Sequence, residues 1–198
     1  MKKEQFEWIH SWQDENFNAD LPRILLIGDS ITHNYQGVVR EKLKGRVYVD
    51  YVATSYGIDT KIYNQLVLNF ANYNKYNLIH FNFGLHAKHL SKNVYKNRVK
   101  SLIAKLKNIC QVTVANSTIV YNLGNQTLDE SWMKRVDERN SAMQEISEEL
   151  NVELDDLFSI SKDIPKSMRY EDGTHYLPEG YSVLADKVCE FILFNLKA

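Results

Sequence analysis

The feature that most constrains this chain is Ile24-Leu25-Leu26-Ile27, an unbroken apolar run that leads into Gly28-Asp29-Ser30-Ile31-Thr32. Pro22 and Gly28 bound it. An apolar run with no alternation, closed by turn residues, predicts a strand buried on both faces. Such strands belong to parallel sheets, whose working groups sit outside the carboxyl ends of the strands. Ser30 falls just past that end, where a following helix leaves backbone N–H groups without intrahelical partners. Two readings of Ser30 follow, a helix cap and a working residue in a crevice.

The rest of the chain repeats the strand-then-helix theme. Strands are predicted at 23–28, 47–52, 78–83, 112–115 and 152–156. Helices with apolar stripes are predicted at 34–44, 60–73, 92–108 and 131–150, and a last helix starts at Pro178. Two long loops, 117–130 and 157–177, separate the later elements. Five alternations predict a three-layer α/β/α sandwich around a five-stranded parallel sheet, with the flavodoxin-like strand order 2-1-3-4-5. Before this domain, assigned to 21–198, lies an extension at 1–20. Phe6, Trp8, Ile9 and Trp12 give it a short helix over 3–13 that packs on the main body, since Trp8 and Trp12 are one helical turn apart.

Composition excludes several classes. A net charge of −1 offers no basic surface for nucleic acid or for an anionic membrane. No apolar run approaches the ~18 residues of a membrane span. The basic start of the chain lacks an apolar h-region, so a cytoplasmic location is expected. Cys110 and Cys189 follow no metal or redox spacing and read as buried free thiols. The histidines, His86 and His89 three apart and His33 close to Ser30, have no carboxylate that completes a ligand set, so neither metal nor cofactor is expected.

The last loop carries Asp172-Gly173-Thr174-His175. An Asp three residues before a His can hold one ring nitrogen and leave the other as a base. With Ser30 this forms a possible Ser–His–Asp set in the chain order Ser, Asp, His. The Gly-x-Ser-x-Gly elbow of α/β-hydrolases is absent.

GDSIT after the first strand, a Gly-containing loop after the second, Gly84 after the third and DGTH before the last helix resemble the blocks of the SGNH (GDSL-type) hydrolases over about 22–196. HFNFGLH (80–86), VDERNSAM (136–143) and DGTHYLPEGY (172–181) resemble a branch common among bacterial carbohydrate esterases. The resemblance implies Ser30 as nucleophile, His175 as general base and Asp172 as its orienting carboxylate. It also implies an oxyanion hole from the Ser30 N–H, an N–H in the 54–58 loop and a side-chain donor after strand three. Two blocks depart from the pattern. Where an Asn-x-Gly is usual, this chain reads ATSYGIDT, so register favours Ser55 and residue type favours Gly57. Where Gly-x-Asn-Asp is usual, it reads Gly84-Leu85-His86-Ala87, so the donor is His86, with Asn82 the competitor. Asp29, Thr54 and Gly84 are expected to line the substrate site. Arg139 and Asn140 sit on a helix otherwise patterned for packing and are read as ties to the 117–130 loop, with no catalytic role.

The expected activity is a serine esterase that removes short acyl groups, acetyl foremost, from a small molecule or oligosaccharide. A lysophospholipase or thioesterase on longer chains is the alternative within the same chemistry, and a non-catalytic glycan-binding module the alternative outside it. The sequence leaves the oligomeric state open.

Overall fold

The structure is a computed structural model that describes residues 6–15 and 20–197. Strand β2 (Arg23–Gly28) lies at the centre, with all six residues buried. Alternate side chains feed opposite layers: Leu25 and Ile27 join one core cluster, Ile24 and Leu26 the other. At about 1.5–3 kcal/mol for each fully buried Leu or Ile, this one strand anchors both layers. Around it stand β1 (Ile9–Trp12), β3 (Tyr48–Thr54), β4 (Leu78–Asn82), β5 (Gln111–Ala115) and β6 (Leu154–Asp155). The sheet order among the described residues is β1-β3-β2-β4-β5-β6. The five strands from β2 to β6 are parallel, in the expected 2-1-3-4-5 order.

Helices cover both faces. The Leu25 side carries α2 (Lys61–Ala71), α3 (Lys92–Lys107) and α4 (Glu130–Leu150) through Tyr63, Tyr95 and Met143. The Leu26 side carries α1 (Ser30–Leu43), α5 (Leu157–Asp163) and α6 (Pro178–Asn195) through Tyr35, Leu157 and Leu184. Asn151 ends α4 in the left-handed conformation, φ +48°. No helix among the described residues is long and apolar enough to cross a membrane.

Three expectations are corrected. The described part of the helix placed at 3–13 contains a strand instead: β1 runs antiparallel to the outer edge of β3 and makes a sixth strand. Residues 3–5 lie outside the described residues. A spacing of four satisfies a helical turn and also a strand's alternation, and Trp8, His10 and Trp12 follow the second period. Side chains at the end of β3 and just beyond it hold the residue before the strand, since Thr54 Oγ1 donates to the Trp8 carbonyl (2.6 Å) and Ser55 Oγ accepts from the Trp8 N–H (2.9 Å). Helix α1 starts at Ser30, not 34, because Asp29 caps it. The 157–177 loop contains α5, capped by Asp156 with Leu157 and Ser161 buried.

Candidate active site

Sterics force the turn from β2 into α1. A Cβ on Gly28 would stand 2.0 Å from Thr32 Oγ1, so only glycine lets the chain reverse so tightly. Asp29 Oδ1 then accepts from the Ile31 N–H at 3.0 Å. Asp29 is therefore the cap, and Ser30 occupies the first helical position with its side chain at the sheet's carboxyl edge.

The Asp172–His175 loop is built as tightly. Asp172 Oδ1 accepts from the N–H groups of Thr174 and His175, both at 2.9 Å. Gly173 has φ +79°, and a Cβ there would lie 2.0 Å from the Tyr121 carbonyl oxygen. The Gly173 carbonyl also accepts from the Tyr121 N–H at 2.9 Å. Behind the loop, buried Arg169 donates to the carbonyls of Ser161 and Ile164 and lies over the rings of Tyr121 and Tyr176.

These two turns bring three side chains into line. His175 Nδ1 donates to Asp172 Oδ2 at 2.6 Å, and Ser30 Oγ, 2.8 Å away, donates to His175 Nε2. The ionised carboxylate fixes the tautomer with the proton on Nδ1, which leaves Nε2 as acceptor. Burial pushes the Asp172 carboxyl up, but hydrogen bonds from the His175 backbone and ring and from Thr174 outweigh it and hold the group below its ordinary value.

Beside Ser30 lies a cavity of about 40 Å³. Asp29, Asn82, Gly84, His86, Ser117 and Thr118 line it. Gly84 is required for its shape, since a Cβ would meet Ser117 Oγ at 2.3 Å. Asn82 is buried and donates to the Asn116 carbonyl at 3.4 Å, so both donor candidates of the third block, Asn82 and His86, reach the cavity. Asn140 fixes the opposite wall: its Oδ1 accepts from the Ser117 N–H (2.7 Å) and its Nδ2 donates to the Ser117 carbonyl (3.0 Å). That is the expected tie to the 117–130 loop.

Two site expectations fail for one reason, the β1 strand. The Ser55 N–H donates to the Trp8 carbonyl at 3.3 Å, and Ser55 Oγ donates to Glu7 Oε2, so the residue turns away from the crevice. Thr54 spends its hydroxyl on Trp8 and on the Tyr56 N–H. Gly57 packs close to Ala87, in the segment that follows the 84–86 cavity wall, and is the remaining candidate for the second backbone donor.

The other histidines are engaged elsewhere. His33 stacks on His10 (centroids 4.3 Å) and bonds Tyr51 Oη (3.2 Å); burial and the nearby His10 lower its pKa. His89 bonds Asp59, and His80 bonds Asp155 inside the sheet. Among the described residues no three His, Cys, Asp or Glu groups converge to hold a metal. Cys189 is buried as expected and Cys110 partly so; both are free thiols, pushed up to about 11 by burial.

Sequence reasoning missed Arg169 and read Arg139 as a tie to the 117–130 loop, whereas it bonds the Ala87 and Leu90 carbonyls; both are buried behind the site. A signal existed for Arg139, a charged residue on the apolar stripe of α4.

Residues 30–189 match the family model described as Transport and Golgi organisation 2. No curated protein sequence matches the chain. Among solved structures it is similar to LAE5, an alpha/beta hydrolase from the metagenome of Lake Arreo (13% identity, TM-score 0.71, 85% of this chain and 94% of that one). It is also similar to a lipase/acylhydrolase from Enterococcus faecalis (18%, 0.71, 88% and 97%). A third is Axe2, an acetylxylan esterase from Geobacillus stearothermophilus (16%, 0.68, 86% and 94%). These likenesses show a hydrolase-like α/β fold. The family expected from the motifs is corrected: the model that matches is not an SGNH family, and identities this low carry fold alone.

Proposed function

The chain belongs to the Transport and Golgi organisation 2 family, and we propose that it is a serine esterase that hydrolyses short-chain esters, acetyl esters of a carbohydrate foremost. The observation that carries the reading is the hydrogen-bonded line Ser30–His175–Asp172 at the carboxyl edge of the sheet. Ser30 Oγ attacks the ester carbonyl as its proton passes to His175 Nε2. The Asp172 carboxylate stabilises the imidazolium that results. The oxyanion forms beside the first turn of α1, where the Ser30 N–H comes before the helix ladder can engage it. Asn82 and His86 face the same cavity and supply the side-chain donor. The alcohol leaves with the proton from His175, and water resolves the acyl-enzyme by the same route.

Cavity size supports the short acyl group. At about 40 Å³ the pocket beside Ser30 is small, which suits a compact acyl group better than a long chain. Ile31 and Leu85 give its lining an apolar part beside Asn82 and Ser117, so its small volume, not wall polarity, is what favours a short acyl group. One structural neighbour, Axe2, is an acetylxylan esterase, which is consistent with this choice. A second reading, longer acyl chains, is favoured by exposed Leu123, Leu128 and Tyr170. They belong to the loops hydrogen-bonded around Glu171 and Gly173.

The deciding experiment is labelling by a fluorophosphonate, with hydrolysis of p-nitrophenyl acetate and acetylated sugars alongside. Labelling at Ser30 with acetate turnover supports the reading. An unlabelled, inactive folded protein refutes it and leaves a glycan-binding module.

A further inference from the structure

Arg139 is 1% exposed, and among the described residues no carboxylate bonds its guanidinium. The guanidinium lies 4.0 Å over the Tyr95 ring and donates through Nη2 to the carbonyls of Leu90 (2.9 Å) and Ala87 (3.3 Å). Its Nε and Nη1 are buried without a hydrogen-bond partner among the described residues. A buried cation so thinly satisfied is a costly way to pack a helix, and an apolar side chain of that size would be cheaper.

What the arrangement holds is specific. Tyr95 Oη donates to the Phe83 carbonyl while Arg139 holds the Ala87 carbonyl. The stacked pair thus pins both ends of the 84–86 segment, which walls the cavity next to Ser30. Ala87 is kept at φ +57°, a left-handed conformation that alanine rarely adopts. Its release would let the segment relax, and His86 and the 84–87 backbone with it.

We propose that Arg139 is a positioning residue: stacked on Tyr95, it holds Ala87 left-handed and thereby aims the 84–86 wall at the oxyanion. The proposal rests on the esterase reading above. Donors aimed at an oxyanion act in the transition state and hardly at all in substrate binding.

The test is steady-state kinetics on p-nitrophenyl acetate with Arg139→Met, Arg139→Lys and Arg139→Met/Ala87→Gly, beside near-UV circular dichroism and thermal melts. Arg139→Met is expected to lower kcat about 10–100-fold with KM within about twofold, and to keep a native near-UV spectrum. Arg139→Lys, which keeps the charge and loses the planar fork, is expected to fall between Arg139→Met and wild type. The double variant is expected to recover part of the lost kcat, about threefold or more, because glycine takes φ +57° without strain. A role in packing alone gives no such rescue. Folded single variants with wild-type kcat, a loss confined to KM, or no recovery on Ala87→Gly would each overturn the proposal. So would failure of both single variants to fold, which makes Arg139 a folding residue. A wild-type protein without turnover or fluorophosphonate labelling removes the esterase reading itself. An active wild type matched by its variants removes only this proposal.

Discussion

Gly173→Ala tests whether the Asp172–His175 loop works as a rigid unit. The substitution adds one methyl group, 2.0 Å from the Tyr121 oxygen, 2.7 Å from its carbonyl carbon and 2.8 Å from the Asn122 oxygen. All three are backbone atoms, so no side chain can swing aside. The new residue must also hold φ +79°, which costs an L-residue roughly 1–2 kcal/mol, while overpacking adds about 1–3 kcal/mol. Together these put the loss of stability at about 2–5 kcal/mol, or roughly 4–20 °C in Tm for a chain of this size. Relief comes only if the loop and the 121–122 backbone separate by more than an ångström, which would stretch the 2.8 Å Ser30–His175 contact beyond hydrogen-bond range. We therefore expect kcat on p-nitrophenyl acetate to fall at least ~10²-fold, with fluorophosphonate labelling slowed in parallel. Calorimetry and kinetics on the same preparation check both numbers. Wild-type turnover in a variant that also melts like wild type would refute the claim that this glycine sets the geometry.

Four further outcomes are expected. Ser30→Ala folds normally and loses on the order of 10⁴–10⁶ in turnover; hydrolysis at the wild-type rate would remove Ser30 as nucleophile. On p-nitrophenyl esters, catalytic efficiency for acetate exceeds that for octanoate, and the reverse order moves the protein to the long-chain reading. His86→Ala lowers turnover of a small activated ester by ~10²–10³ and His86→Asn keeps a good part of it; if Asn82→Ala alone carries the loss, the donor is Asn82. The Asp172 carboxyl lies below its ordinary value in the fold, so its stabilising effect is complete above the unfolded pKa of 3.8 and fades as pH falls through the folded value. The Tm gap between wild type and Asp172→Asn should therefore narrow below about pH 4, and a gap constant from pH 7 to 3 would contradict this.

Elements that report their own burial were legible in the sequence. An unbroken apolar run such as 24–27 has one stable home, the middle of a parallel sheet, and strand order follows from handed crossovers. The stripe of α3, with Tyr95, Val99 and Leu102, reads as a helix because its period is sampled over four turns. Short elements carry no such redundancy. The four residues of β1 and the seven of α5 are too few for a period to be told from its rival. Their stability comes from contacts distant in sequence: β1 from the side chains of Thr54 and Ser55, α5 from Asn116, whose Oδ1 accepts from the Phe158 N–H.

The candidate site divides along the same line. Ser30, Asp172 and His175 were readable because each sits in a local turn that its own neighbours enforce: Gly28 and Asp29 for the first, Gly173 and two backbone N–H groups for the others. The donors opposite Ser30 depend on chain segments brought together from afar. Ser55 matches the donor position in register, yet Trp8 and Glu7, which lead into an edge strand over 40 residues earlier, take up its N–H and its hydroxyl. An edge strand needs a partner for its open ladder, and the segment before β2 supplies it to β3 at the expense of the residue beyond the strand end. Under the esterase reading, the backbone donor then comes from later in the loop. There Gly57 approaches Ala87, in the same segment whose carbonyl Arg139 grips. The strand that sequence reading took for a helix and the arginine it took for a tie to the 117–130 loop thus bear on the same feature, the side of the crevice where negative charge would develop.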